Sequence, residues 1–128
     1  MPALNFKIQF VPHIRSGRKT HTIRSTRKLP IKTGDTLYLY TGMRTRHCQK
    51  IIQSVCLKVE DVLIRQRKTF SNDSTERFEV AINGVGLESD EKQALAYADG
   101  FKSFSDMMIF WQGRLPFIGH IIHWERRD

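Results

Sequence analysis

The feature that most constrains the fold is a series of short segments in which apolar and polar residues alternate. Alternation with a period of two is typical of a strand that buries one face. It is clear in residues 4–10 and 54–59, and strands are also expected at 36–40, 48–64, 78–80 and 118–124. Because such segments cover much of the chain and glycine or proline separates most of them, the sequence predicts a sheet-rich protein.

The acidic C-terminal part carries signals for two helices. Ser89 and the two acidic residues after it place a cap and negative charges at the start of a helix that Gly100 ends. Its predicted apolar side consists of Ala94, Leu95 and Ala98. Ser103 with Asp106 resembles a capping box before a second helix. We therefore expect an α+β fold over residues 1–128, a single domain in which five to six mostly antiparallel strands form a small β-barrel flanked by two or three helices.

The charge is high and unevenly distributed along the chain. The formal net charge is +8, but residues 1–70 have 15 Lys and Arg against three acidic residues, which gives +12. Residues 71–128 have six Lys and Arg against ten acidic residues, which gives −4. Such polarity attracts an anionic partner to the N-terminal half.

The segment GRKTHTIR, residues 17–24, concentrates chemistry in a short stretch. If it is extended, Thr20, Thr22 and Arg24 lie on one face, and Lys19 enters from the preceding turn. Hydroxyls beside cations suit a phosphate, a carboxylate or the polar edge of a base. The alternative is an edge strand with a solvated basic face.

The same segment contains a candidate nucleophile with a candidate base. The Thr22 hydroxyl reacts only if a base takes its proton, and Lys19 could do so if cationic neighbours and burial lower its pKa. Asp99, placed before Gly100 at a helix end, is the candidate acid/base. The residues selected for nucleic-acid binding are Arg18, Thr20, Arg24, Arg27, Lys28, Arg44, Arg46 and Tyr40.

Several other functions lack sequence support. The chain has no HExxH motif, no paired CxxC motifs, no P-loop and no GxGxxG motif, so we expect no metal site and no cofactor. A divalent ion held by one or two carboxylates stays an open alternative. The N-terminus lacks the apolar run of a signal peptide and no segment is long enough to span a membrane, so we expect a cytoplasmic protein without a membrane partner.

Four segments together resemble an ASCH domain. They are GRKTHTIR at 17–24, IKTGDTL at 31–37, DGF at 99–101 and GHIIHW at 119–124. The resemblance covers residues 6–124 and implies a PUA-like β-barrel that binds RNA or a nucleotide through a basic cleft, in RNA processing or metabolism. Some members of the family are reported as ribonucleases.

Other ASCH proteins are amidohydrolases that remove the acetyl group from 4-acetylcytidine. In those members a lysine, a threonine and an acidic residue carry the chemistry, and the matching residues here are Lys19, Thr22 and Asp99. The resemblance implies that Thr22 attacks the amide, Lys19 activates it, Asp99 transfers the proton and Arg24 stabilises negative charge. The acidic residue in those amidohydrolases is Glu, and this chain adds a basic loop at 42–50 and a polar insertion at 71–74, which suit a longer nucleic acid. The sequence therefore favours RNA or nucleotide binding in RNA processing first, hydrolysis of an acylated cytidine as the alternative, and a regulatory binding module without catalysis as the second alternative.

Overall fold

The computed structural model describes residues 2–126, which form a mixed α+β fold. This part of the chain contains seven strands in one mostly antiparallel open sheet and four α-helices. In chain order the elements are β1 (Ala3–Phe6), a 3₁₀ turn (Ile8–Phe10), α1 (Val11–Arg15), β2 (His21–Ser25), β3 (Thr36–Thr41), β4 (Gln49–Gln66), α2 (Ser74–Arg77), β5 (Phe78–Ile82), β6 (Val85–Gly86), α3 (Ser89–Ala98), α4 (Phe104–Trp111) and β7 (Phe117–Trp124).

The long strand β4 organises the sheet. Its N-terminal part pairs with β3, and its C-terminal part pairs with β5 and β7, all antiparallel. The strand β1 adds to β3 in parallel, and β2 adds to β7 in antiparallel register. Within residues 2–126 no backbone ladder joins β1 to β2, so the sheet stays open there. A side chain links these two edges, because Arg24 Nη2 donates to the Asn5 carbonyl oxygen at 2.6 Å.

The core lies between the sheet and the helices α3 and α4. Its fully buried large side chains come from strands and helices alike, and include Leu4, Leu37, Ile64, Phe104, Met107 and Trp124. Helix α4 contributes most strongly, since four of its eight residues are buried. Its first turn is capped as expected: the Ser103 hydroxyl accepts from the Asp106 N–H at 3.2 Å. Packing of α4 under the sheet fixes the connection that carries Asp99.

Most predicted strands are confirmed, but the first is shorter than expected. The chain leaves the strand after Phe6, and the Phe10 N–H donates to the Lys7 carbonyl oxygen at 3.0 Å. Ile8, which the alternation assigned to the buried face, is 78% exposed. The helical turns bring Phe10 against Phe101, with ring centroids 5.5 Å apart. Burial of that aromatic pair favours the turn over two more residues of strand.

The predicted apolar side of α3 is correct only in part. Leu95 packs partly buried against the core and Ala98 is half-buried, but Ala94 is exposed, while Lys92 and Ala96 are buried. Lys92 Nζ donates to the carbonyl oxygens of Thr75 at 2.5 Å and Phe78 at 2.9 Å, which satisfies the buried ammonium group. The helix also begins one residue earlier than expected, because the Glu88 N–H donates to the Glu91 carboxylate at 2.9 Å.

The described chain has more elements than predicted. The two additional helices are the short α1 and α2, and the strand count exceeds the predicted five to six through the two-residue β6. The turn at Asn83 and Gly84 joins β5 to β6 as a hairpin. Within residues 2–126, no helix is long and apolar enough to cross a membrane.

Candidate active site

A tight turn after α1 delivers Lys19 to the interior. Gly17 adopts φ +82°, a left-handed conformation that glycine reaches without a steric penalty. The backbone then folds back, and the Lys19 N–H donates to the His13 carbonyl oxygen at 2.9 Å. As a result the Lys19 side chain is almost completely buried. The glycine that opens the GRKT motif thus positions its lysine.

Lys19 forms a buried ion pair with Asp99. Its Nζ donates to the Asp99 Oδ1 at 2.6 Å and to the Asp99 carbonyl oxygen at 2.8 Å. Asp99 lies at the C-terminal end of α3, where Gly100 turns the chain with φ +101°. The two partners are 80 residues apart in sequence, but their side chains are in direct contact.

The electrostatic environment lowers the pKa of both partners. Burial lowers the pKa of Lys19 most strongly; the Asp99 carboxylate opposes this effect, and the nearby Arg24 charge adds to it. For Asp99, burial favours the neutral acid, but the charge and hydrogen bond of Lys19, together with the nearby His21 ring, outweigh it. The pKa of Asp99 therefore lies below its ordinary value. The ionised Asp99 thus favours retention of the Lys19 proton, while burial and Arg24 favour its release.

The strand β2 presents Thr22 and Arg24 as predicted. The Arg24 Nε donates to the Thr22 Oγ1 at 3.1 Å, and the Arg24 guanidinium carbon lies 4.7 Å from the centroid of the Phe6 ring. Burial lowers the pKa of Arg24, and the Arg27 charge adds to this effect, while Asp99 opposes it. The hydroxyl and the guanidinium are thus fixed side by side.

These groups line one pocket of about 270 Å³. Lys19, Thr22, Arg24 and Asp99 form its polar part. Its aromatic part comes from β1, the 3₁₀ turn after it, the connection between α3 and α4, and the C-terminal end of α4, namely Phe6, Phe10, Phe101, Phe110 and Trp111. Phe101 and Trp111 are buried and also face the pocket. A small cavity with aromatic walls and a polar end suits a planar ligand with one reactive polar group.

His21 precedes Thr22 in β2 and lies against Asp99, although it was not among the residues predicted for the site. Its Nε2 lies 3.2 Å from the Asp99 Oδ1, but without the alignment of a hydrogen bond. Its ring lies 5.6 Å from that of His123, whose Nε2 is 2.7 Å from the Glu60 Oε1. The sequence signal for His21 was its place two residues after Lys19, because residues i and i+2 of an extended segment lie on the same face.

The residues selected for nucleic-acid binding lie in different places. Arg18 is engaged within the fold: its guanidinium donates to the carbonyl oxygens of Tyr97 and Phe101 at 3.0 and 2.8 Å and stacks 3.6 Å from the Tyr97 ring. Tyr40 and Thr20 are half-buried and do not line the pocket. The remaining cations, apart from Arg24, are exposed: Arg27, Lys28, Arg44 and Arg46.

The described residues 2–126 contain no cluster of three His, Cys, Asp or Glu side chains suited to a metal ion. Comparisons with protein-family models, curated proteins and solved structures found no significant match to this chain. Function is therefore argued from the pocket itself.

Proposed function

We propose that this protein is an amidohydrolase of the ASCH type, with a PUA-like barrel, that removes the acyl group from an N-acylated cytidine such as 4-acetylcytidine. The observation that carries the proposal is the convergence of Lys19, Thr22, Arg24 and Asp99 on one pocket. These residues supply a nucleophile, a base with a lowered pKa, a fixed cation and a carboxylate. Each is a group that amide hydrolysis requires.

In the proposed reaction each of these groups has one role. Thr22 Oγ1 adds to the carbonyl carbon of the substrate amide, and Lys19 takes the hydroxyl proton. The Arg24 guanidinium, already hydrogen-bonded to Thr22, stabilises the negative oxygen that forms. The C–N bond then breaks, the amine leaves with a proton from Lys19, and the acyl group stays on Thr22 as an ester. Water hydrolyses that ester to free carboxylic acid and restores the threonine.

Asp99 holds Lys19 in place during these steps. The distance of 2.6 Å between Lys19 Nζ and Asp99 Oδ1 allows the carboxylate to share the proton that the lysine gains. Asp99 is one methylene shorter than the glutamate of the amidohydrolases. In this chain the Gly100 turn places the Asp99 backbone at hydrogen-bond distance from the ammonium group, which supports the shorter side chain in that role.

The size and walls of the pocket favour a single base. A volume of about 270 Å³ is near the lower end for small-molecule sites. The aromatic rings offer stacking surface for the flat cytosine, and the polar end faces its exocyclic amide. A nucleoside, free or turned out of a strand, therefore fits better than a stacked stretch of RNA.

The test compares two neighbouring threonines. Thr22→Val removes the hydroxyl from the pocket, whereas Thr20→Val removes a hydroxyl that lies outside it. We expect the unmutated protein and Thr20→Val to release acetate from 4-acetylcytidine, and Thr22→Val to be at least about 1000-fold slower. Circular dichroism checks that both variants fold. Absence of acetate release from the unmutated protein, or full activity of Thr22→Val, overturns the proposal.

A second function, RNA binding through a basic surface, is supported by the position of the loop 42–48. The Met43 N–H donates to the Asn5 Oδ1 at 3.0 Å, and Asn5 lines the pocket. The same loop carries the exposed Arg44 and Arg46. An RNA strand bound by this loop would lead one base toward the pocket. Binding without acetate release would favour the regulatory module, and cleavage of the bound strand would favour a ribonuclease.

A further inference from the structure

Two cations of the pocket are not used in the proposed reaction. Lys7 follows β1 and Arg114 follows α4, and both line the pocket. Both side chains are exposed, whereas Lys19 and Asp99 are buried, so they form the outer part of the pocket. Lys7 Nζ and Arg114 Cζ each lie 4.9 Å from the centroid of the Phe110 ring. One aromatic side chain thus holds both cations at the opening.

The charges of these two side chains are not compensated within the described residues 2–126. Neither forms an ion pair there, whereas Lys19 is paired with Asp99. Arg24 is also engaged, through Thr22 and the Asn5 carbonyl. The inner part of the pocket therefore has two cations and one carboxylate, all engaged by hydrogen bonds, whereas its opening has two cations without a charged partner among the described residues.

We propose that Lys7 and Arg114 form a phosphate subsite, so that the protein binds an acylated cytidine nucleotide in preference to the free nucleoside. The inference rests on the proposed function for the identity of the base. The guanidinium can donate two parallel hydrogen bonds to phosphate oxygens, and the ammonium adds a mobile point charge. Contact with Phe110 restricts both side chains before binding, which lowers the entropic cost of ordering them. The phosphate can belong to a mononucleotide or to the backbone of an RNA.

The test measures binding of reaction products, which requires no turnover. Calorimetry gives the Kd of cytidine and of cytidine 5′-monophosphate for the unmutated protein and for the double variant Lys7→Gln/Arg114→Gln. We expect the unmutated protein to bind the monophosphate at least about tenfold more tightly than cytidine. The double variant loses that preference and binds cytidine as before. Arg67→Gln/Lys68→Gln removes the same charge after the end of β4 and retains the preference.

The outcomes separate this inference from the proposed function. Equal binding of nucleoside and monophosphate by the unmutated protein overturns the phosphate subsite, even if 4-acetylcytidine is hydrolysed. Loss of the preference in the Arg67→Gln/Lys68→Gln control also overturns it, since net charge would then explain the effect. Tighter monophosphate binding without acetate release supports the subsite and overturns the amidohydrolase proposal. The kcat/KM for acetylated cytidine 5′-monophosphate and for a short RNA with one acetylated cytidine identifies the source of the phosphate.

Discussion

At the scale of single residues, the site depends on a balance around the Lys19 ammonium group. Burial makes the charged form costly, and Arg24 adds repulsion, while Asp99 at 2.6 Å stabilises it. His21 and His13 are the other titratable groups close to this pair. A lysine in such surroundings gives up its proton more readily than in water, which is what a base for Thr22 needs.

This balance predicts two opposite shifts in the pH profile of the reaction. The kcat/KM should rise with pH as Lys19 loses its proton, at a pKa below the ordinary value of about 10.4. Arg24→Gln removes a positive neighbour, so the pKa of Lys19 rises and the midpoint moves to higher pH. Asp99→Asn removes the carboxylate that favours the ammonium form, so the midpoint moves to lower pH. The profile of acetate release from pH 5 to 10 measures both shifts.

A nearby surface arginine provides the control for this prediction. Arg27 influences the pKa of Arg24, and no effect of Arg27 on Lys19 is resolved. We expect Arg27→Gln to leave the midpoint close to that of the unmutated protein. If Arg24→Gln and Asp99→Asn shift the midpoint in the same direction, Lys19 is not the group that titrates.

At the scale of elements, the junction between α3 and α4 positions the carboxylate. Gly100 has φ +101°, and a Cβ built there would lie 2.9 Å from the Phe10 ring. Gly100→Ala should therefore combine left-handed backbone strain of about 1–2 kcal/mol with a steric conflict of about 1–3 kcal/mol. Because Asp99 and Phe10 both line the pocket, we expect a loss of activity as well as stability.

Gly34→Ala is the matched control. Gly34 also has a left-handed φ, +93°, but a Cβ there meets no atom within 4 Å, and Gly34 does not line the pocket. Urea denaturation should give the smaller loss of stability for Gly34→Ala, and its kcat/KM for acetate release should be unchanged. Equal losses of stability in the two variants would show that the contact with Phe10 costs nothing.

The strands β3 and β7 were predictable from local runs rich in β-branched, aromatic and other apolar residues. The alternation failed after Phe6 because burial of Phe10 depends on Phe101, which is distant in sequence. On α3, a lysine at a buried position gives no local signal, since its partners are the carbonyl oxygens of Thr75 and Phe78. Tertiary contacts decided both cases.

The candidate site was predictable to the same extent: contacts within one strand could be read from the sequence, and contacts between distant residues could not. The face shared by Thr22 and Arg24 came from the spacing within one strand. Asp99 was selected from its place before Gly100 and from the resemblance to a family, but its contact with Lys19 had no local signal, because the two residues are 80 positions apart. Lys7 and Arg114 were missed, since they meet only through the ring of Phe110.

At the scale of the whole molecule, positive charge collects around the pocket and on the loop beside it. The pocket lining contains four cationic side chains and a single carboxylate. The loop 42–48, tied to Asn5 at the edge of the pocket, adds Arg44 and Arg46. The acidic residues of the C-terminal half instead lie largely at exposed positions, three of them at the start of α3. This distribution orients an anionic ligand toward one face.

If RNA binds along that face, its affinity must fall as the salt concentration rises, and replacing the contacting arginines must make this dependence weaker. Each backbone phosphate neutralised by the protein contributes about −0.7 to the slope of log K against log salt for a single strand. Arg44→Gln/Arg46→Gln should thus make the slope shallower by about 1.4, as measured by fluorescence anisotropy with a short single-stranded RNA. Arg67→Gln/Lys68→Gln, at the other end of β4, carries the same loss of charge and should leave the slope unchanged. A flat salt dependence of the unmutated protein, or equal slopes in both variants, contradicts a strand bound along the loop 42–48. Since acetate release from a free nucleoside needs only the buried groups, it should persist in both variants, which separates capture of RNA from the chemistry.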